Sequence, residues 1–164
     1  MKIVIGGDHF GVPLKRMLLP FIESLGYPVV DLGGYREDEP IDFPDIGRRV
    51  CLEIIEGRAQ RGIMCCGTGV GASIAANKIP GIRATLCHDT YCAHQSVEHD
   101  NVNVITMGAW IVGPKTAQEV VATYLTAQFD ASEDFVRRVG KLGDLERWAA
   151  QRVLGGLHTN LHCQ

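Results

Sequence analysis

The stretch Gly62-Ile63-Met64-Cys65-Cys66-Gly67-Thr68-Gly69-Val70-Gly71-Ala72-Ser73-Ile74-Ala75-Ala76-Asn77-Lys78 carries an apolar run into a glycine-rich turn and out into a helical pattern. Residues 62–66 read as a buried strand and 69–78 as a short helix. The same alternation extends in both directions. Upstream, 2–6 and 28–32 read as strands around a helix at 11–25, whose apolar groups Leu14, Leu18, Phe21, Ile22 and Leu25 are closed off by Gly26. A polar, acidic loop at 33–43 leads to a helix at 44–57, with Pro44 in its first turn and Gly57 at its end. Downstream, 82–87 and 103–108 read as strands around a helix at 89–98, and two helices follow at 114–127 and 132–153. Gly155 to Gln164 reads as a loose tail, which predicts one domain over 1–153 and a tail over 154–164.

Strands separated by helices require crossover connections. They predict a three-layer αβα, Rossmann-like fold, with five parallel strands and helices on both faces. Near-continuous apolar strands agree, because such a sheet is buried on both sides. In open sheets of this kind ligands sit beyond the carboxyl ends of the strands. Here those ends are Gly7-Asp8-His9, Cys66-Gly67-Thr68-Gly69, His88-Asp89 and Gly108.

Composition narrows the classes of function. The 164 residues suit a single globular domain, 46% of them apolar, with no run long enough to span a membrane. Glycines and Asp8 interrupt any signal-peptide core at the amino terminus, so the expected location is the cytoplasm. Sixteen Lys and Arg against 19 Asp and Glu, with no basic cluster, argue against nucleic acid. Of the six cysteines, 51, 65, 66, 87, 92 and 163, most read as small buried hydrophobes in a reducing compartment. No C-x-x-C pair points to zinc or to redox chemistry.

The turn after Cys66 is where chemistry concentrates. Its glycines leave backbone N–H groups uncovered at a helix start, a place for a phosphate or an oxyanion. The same field favours thiolate over thiol at Cys66, which makes it a candidate general base or nucleophile. Three other readings compete. Cys66 could simply fill space at a strand end. Gly67-x-Gly69-x-x-Ala72, with Asp89 about 20 residues on, is a loose dinucleotide fingerprint, but it sits on the third strand and leaves the thiol without a role. A phosphatase loop needs an arginine where Ala72 stands. His9, after Asp8, and His99, before Asp100, are placed by this reading at the same sheet edge as Cys66, while His88 and His94 are weaker candidates. His94 and His99 are about 140° apart around a helix and do not share a metal-binding face.

These residues resemble the ribose-5-phosphate isomerase B / galactose-6-phosphate isomerase family. The match runs through Gly7-Asp8-His9-x-Gly11-x-x-Leu14-Lys15, Asp42-Phe43-Pro44, the string Cys66 to Lys78 quoted above, Gly81-Ile82-Arg83-Ala84 and Glu98-His99-Asp100-x-x-Asn103. The resemblance implies an aldose–ketose isomerase of sugar phosphates that works through an enediolate without metal or other cofactor. Ribose 5-phosphate/ribulose 5-phosphate is the first substrate reading. A tetrulose phosphate (erythrulose 4-phosphate/erythrose 4-phosphate) or a hexose phosphate is the alternative. It implies that Cys66 moves the proton between C1 and C2, that Thr68 supports the thiolate, and that the backbone of Gly67, Gly69, Val70 and Gly71, with Ser73 beside it, holds the enediolate oxygens. His99, with Asp8, opens the sugar ring, and His9 and Arg138 hold the phosphate. It also implies a homodimer, or a tetramer as the larger alternative, with His99 and Arg138 reaching into the partner's site. A dinucleotide-binding module or oxidoreductase is the reading from another class.

The sequence departs from the family pattern at four places. Phe43 replaces a tyrosine, Trp110 stands where Gly-x-Arg is usual, Asp134 replaces an arginine four residues before Arg138 with Arg137 as a nearby substitute, and Asp100 replaces an asparagine. All four spare the reacting end. Trp110 is expected to shorten or cover the pocket, which favours a shorter or less charged substrate.

Overall fold

A computed structural model describes residues 1–160, in the order β1 (Ile3–Gly7), α1 (Val12–Ser24), β2 (Val29–Asp31), α2 (Phe43–Ile55), β3 (Arg61–Cys66), α3 (Val70–Ala76), β4 (Ala84–Leu86), α4 (Thr90–Asp100), β5 (Val104–Gly108), α5 (Pro114–Thr126) and α6 (Glu133–Asn160). The five strands form one parallel sheet in the order β2-β1-β3-β5-β4. The predicted fold class is therefore the observed one. The edge strands β2 and β4 are only three residues long, which leaves little unpaired backbone at the sheet margins.

Strand alternation sorts the core into two halves. Ile3, Ile5, Ile63, Cys65, Ile105 and Met107 face a cluster built from α1, α4 and α5, including Leu18, Ile22, Val97, Val121 and Tyr124. Val4, Met64, Cys66 and Val104 face the opposite cluster with Ile46, Val50 and Cys51 of α2 and Ala72 and Ala76 of α3. Each half buries the apolar stripe of its helices, which is the main force holding the three layers together.

One sequence boundary needs correction. The last helix does not stop at 153 but continues through Asn160. Gly155 and Gly156 each cost a helix about 1 kcal/mol relative to alanine, which weakens it without ending it in the absence of a terminating cap. The expected tail is thus helical as far as Asn160, and its remainder, including Cys163, lies outside the described residues. The compact α/β unit is Met1–Phe129, and a second unit begins at Asp130.

Several family-motif residues prove to be structural ties. Asp8 Oδ1 accepts from Gly11 N–H at 2.9 Å, bending the chain from β1 into α1. A side chain at Gly11 would collide with the Cys65 carbonyl, so this crossing of β3 admits glycine alone. Asn77 Nδ2 donates to Ser73 O and Ala84 O, and its Oδ1 accepts from Ala84 N–H, joining α3 to β4. Asn103 ties the start of β5 to Gly81 O and Arg83 N–H in the same two-sided way. Lys15 and Asp31, 2.5 Å apart, join α1 to β2 through an ammonium that is 1% exposed.

Candidate active site

The strand order places a topological switch between β1 and β3. From β1 the chain crosses outward to β2, and from β3 it goes to the other side of the sheet. The crevice at such a point lies at the carboxyl ends of the two strands. That is where Asp8 and His9 leave β1 and where Cys66 and Gly67 leave β3, in register with Gly108 at the end of β5.

Cys66 is buried at the last position of β3, on the α2/α3 face, whereas Cys65 is sunk in the opposite core. Burial pushes the thiols of Cys51 and Cys87 up to about 12 and raises that of Cys65 further. Those three stay protonated at neutral pH. Cys92 is exposed and carries the α4 cap contact with Asp89.

The loop after Cys66 is held from several sides. Gly69 has φ +82°, a left-handed conformation natural to glycine, and caps α3. Its carbonyl accepts from Thr106 Oγ1 at 2.9 Å. Ser73 N–H also bonds to Gly69 O, so Ser73 sits in the first turn of α3. Thr68 is exposed, and its Oγ1 accepts from Val70 N–H at 3.4 Å. Ala109 N–H and Trp110 N–H donate to Cys66 O and Gly67 O at 2.8 and 3.0 Å, which sews the loop to the end of β5.

Two aromatic rings clasp the loop at its ends. A Cβ on Gly67 would lie 2.8–2.9 Å from three atoms of the Trp110 six-membered ring, so the indole rests on bare backbone there. A Cβ on Gly71 would lie 3.0–3.2 Å from the tip of the Phe43 ring, at the first residue of α2. Two of the four family departures, Phe43 and Trp110, therefore touch the loop itself, which corrects the expectation that all four spare the reacting end. His9 is half-buried, its Nδ1 is 3.4 Å from both the N and the O of Ile41, and its ring lies 3.9 Å from that of Phe10.

Asp8, His9, Cys66, Thr68, the loop glycines, Val70, Ser73, Phe43 and Trp110 thus gather at one edge of the sheet. His99 and Asp100 do not, which corrects the sequence reading. They form the last turn of α4, which starts beside the carboxyl end of β4 and returns the chain to the opposite edge. Eleven helical residues span about 16 Å. The missed signal was that His99 closes a crossover helix, and such helices run antiparallel to the strands. His99 Nε2 and His94 Nδ1 both approach Glu98 Oε2, at 3.5 and 3.4 Å.

His88, ranked low from sequence, is the histidine that stands at the loop's edge. Its Nε2 accepts from Gly108 N–H at 3.1 Å, and Gly108 packs directly on the Thr68 backbone. Asp89 caps α4 by accepting from Cys92 N–H at 2.7 Å. That cap gives Asp89 a structural role which the dinucleotide reading did not assign it. In the second unit, Arg138 sits over the Phe135 ring, and Asp134 lies 2.6 Å from Arg137 and 4.0 Å from Arg138. The charge of Arg137, the expected substitute, is thereby engaged by Asp134. Among the described residues no group of three or more His, Cys, Asp or Glu could hold a metal ion, and no helix is long and apolar enough to cross a membrane.

A parallel α/β sheet thus brings a cysteine, a clasped glycine loop and an Asp-His turn to one switch point, the place where proteins of this architecture bind small molecules. The sequence matches the family described as Ribose/Galactose Isomerase over residues 3–142, and the chain belongs to that family of aldose–ketose isomerases. It is 40% identical over 129 residues to ribose-5-phosphate isomerase B of Escherichia coli, covering 79% of this chain and 86% of that one. It is 36% identical over 146 residues to the D-erythrulose-4-phosphate isomerase of Pectobacterium atrosepticum, covering 89% and 95%. Among solved structures, the ribose-5-phosphate isomerase B of Clostridium thermocellum superimposes with a TM-score of 0.88 at 43% identity, covering 91% of this chain and 99% of the other.

Proposed function

We propose that the protein interconverts a phosphorylated aldose of four or five carbons and its ketose through an enediolate, with Cys66 as the base. The observation that carries this reading is the placement of Cys66 at the mouth of the glycine loop, while its neighbour Cys65 is sealed in the other half of the core. The Cys66 thiolate takes the proton from C2 of the open-chain aldose. The resulting enediolate oxygens are held by loop amides between Gly67 and Gly71, with Ser73 beside them and Thr68 supporting the thiolate. The thiol then returns the proton to C1 as the hydroxyl proton passes between O1 and O2. Preset amides suit this step because negative charge builds on oxygen as the C–H bond breaks. His9 takes one side of the phosphate.

Ring opening by His99 with Asp8, and a second phosphate grip by Arg138, need a second copy of the chain. His99 stands at the far edge of its own sheet, so a site that uses it is completed by a partner. Exposed apolar groups support association: Leu142, Leu145 and Trp148 on α6, and Phe43 and Ile74 along a groove of about 490 Å³ between α2 and α3. The protein in this reading is a homodimer that works in the cytoplasm.

Chelator-treated protein is expected to interconvert ribose 5-phosphate or erythrose 4-phosphate with its ketose and to exchange the substrate's C2 hydrogen with deuterated water. Absence of both turnover and exchange on every aldose phosphate tried would reject the reading, and tight calorimetric binding of NAD in their place would restore the oxidoreductase alternative. For the shared site, Cys66→Ala and His99→Ala homodimers are each expected to be nearly inactive on ribose 5-phosphate, whose furanose ring must open first, whereas erythrose 4-phosphate, with its O4 phosphorylated, has no ring for His99 to open. Mixing them under subunit exchange is expected to restore part of the activity, and no recovery would place His99 outside the partner's site.

A further inference from the structure

The sugar's reacting end is fixed by Cys66 and the loop, so substrate length is decided by what stands beyond it. Three rings stand there in sequence. The His9 and Phe10 rings are 3.9 Å apart, and Phe10 meets Trp110 edge-on at 4.8 Å. Trp110 in turn rests on Gly67 and bonds to its carbonyl. Edge-on aromatic pairs are favourable and hold both rings in place. Although Phe10 is 46% and Trp110 63% exposed, each is thus braced from behind.

The same three rings line a cavity of about 390 Å³, together with Met17, Glu37 and further apolar groups. Among the described residues no lysine or arginine lines it. Its acidic member, Glu37, pairs with Arg16 at 3.6 Å, and the Arg16 guanidinium also donates to Tyr35 O. This chain's own residues would offer a phosphate dianion carried past His9 only aromatic faces and a carboxylate in place of water, both of which solvate it poorly.

Resting on the isomerase reading above, we infer that Phe10 and Trp110 form a wall that sets substrate length, selecting a four-carbon sugar phosphate over a five-carbon one. The phosphate of the shorter chain stops at His9. That of the longer chain meets the wall.

Kinetics of the protein with erythrose 4-phosphate and ribose 5-phosphate test this. The wild type is expected to favour the four-carbon substrate in kcat/KM by at least about tenfold, the scale on which one carbon is discriminated. Trp110→Ala is expected to reduce that ratio by at least about tenfold, chiefly by lowering the KM for ribose 5-phosphate. Phe10→Ala, which removes the brace and leaves the loop contacts intact, is expected to shift the ratio the same way, and it becomes the deciding variant if thermal melting shows the tryptophan variant unfolded. An active wild type that prefers ribose 5-phosphate, or a ratio that stays put in the folded variants, overturns the wall and leaves the isomerase reading standing. A wild type with no turnover on either sugar overturns both.

Discussion

Cys66→Ala is expected to lose at least about a hundredfold in turnover, the low end for removing a positioned general base. Cys65→Ala is expected to keep most of its activity, although the two residues are adjacent. The pleat sends their side chains to opposite halves of the core, and only Cys66 stands at the loop's edge. Cys65 is 1% exposed and belongs to the core cluster with Ile5, Ile63 and Leu14, where burial holds its thiol protonated. Its replacement by alanine removes one sulfur from a packed site and is felt in stability, in the range of about 1–3 kcal/mol. Steady-state kinetics beside thermal melts separate the two effects. Comparable losses of turnover in two folded variants would show that the base is neither cysteine alone and would reject the assignment.

The second large effect falls on stability. Asp31→Ala is expected to destabilise the fold by about 3–5 kcal/mol, the cost of leaving one member of a buried ion pair uncompensated. Lys15→Met is expected to cost less. In the first variant the orphan is an ammonium that is 1% exposed, with only the Tyr35 ring, 4.9 Å away, to receive it. In the second the orphan is a carboxylate whose side chain is 27% exposed and which keeps the Gly33 N–H as a donor at 3.0 Å. The double variant is expected to be more stable than the sum of the single losses predicts, because it buries no unpaired charge. Urea titration followed by circular dichroism reads all three, and a larger loss in Lys15→Met than in Asp31→Ala would contradict the account. The pair also bears on the site. It fixes the chain that enters Gly33 and Gly34, whose backbone exchanges hydrogen bonds with Gly7 at 2.8 and 2.6 Å just before Asp8 and His9.

Asn101 shows how local chemistry serves the architecture. It is the one described non-glycine residue with positive φ, at 51°, and it ends α4 directly after His99 and Asp100. Asparagine tolerates this left-handed position better than most side chains. It turns the chain at the edge of the sheet opposite Cys66, so the residue that closes the helix also fixes the position of His99.

The alternation of strands and helices, the parallel sheet, the opposed directions of Cys65 and Cys66, and the concentration of chemistry after Cys66 were all decided by the sequence. Each depends on a period of two or 3.6 residues, or on glycine's freedom to turn, and these properties are complete within a few neighbouring positions. The insertion of β5 between β3 and β4, the burial of Lys15 against Asp31 and the seating of Trp110 on Gly67 were decided only by tertiary structure. Each joins groups far apart along the chain, 43 residues in the case of Gly67 and Trp110, so no local pattern encodes it. Such contacts exist only once the sheet has set its strand order and brought the loops together at one edge.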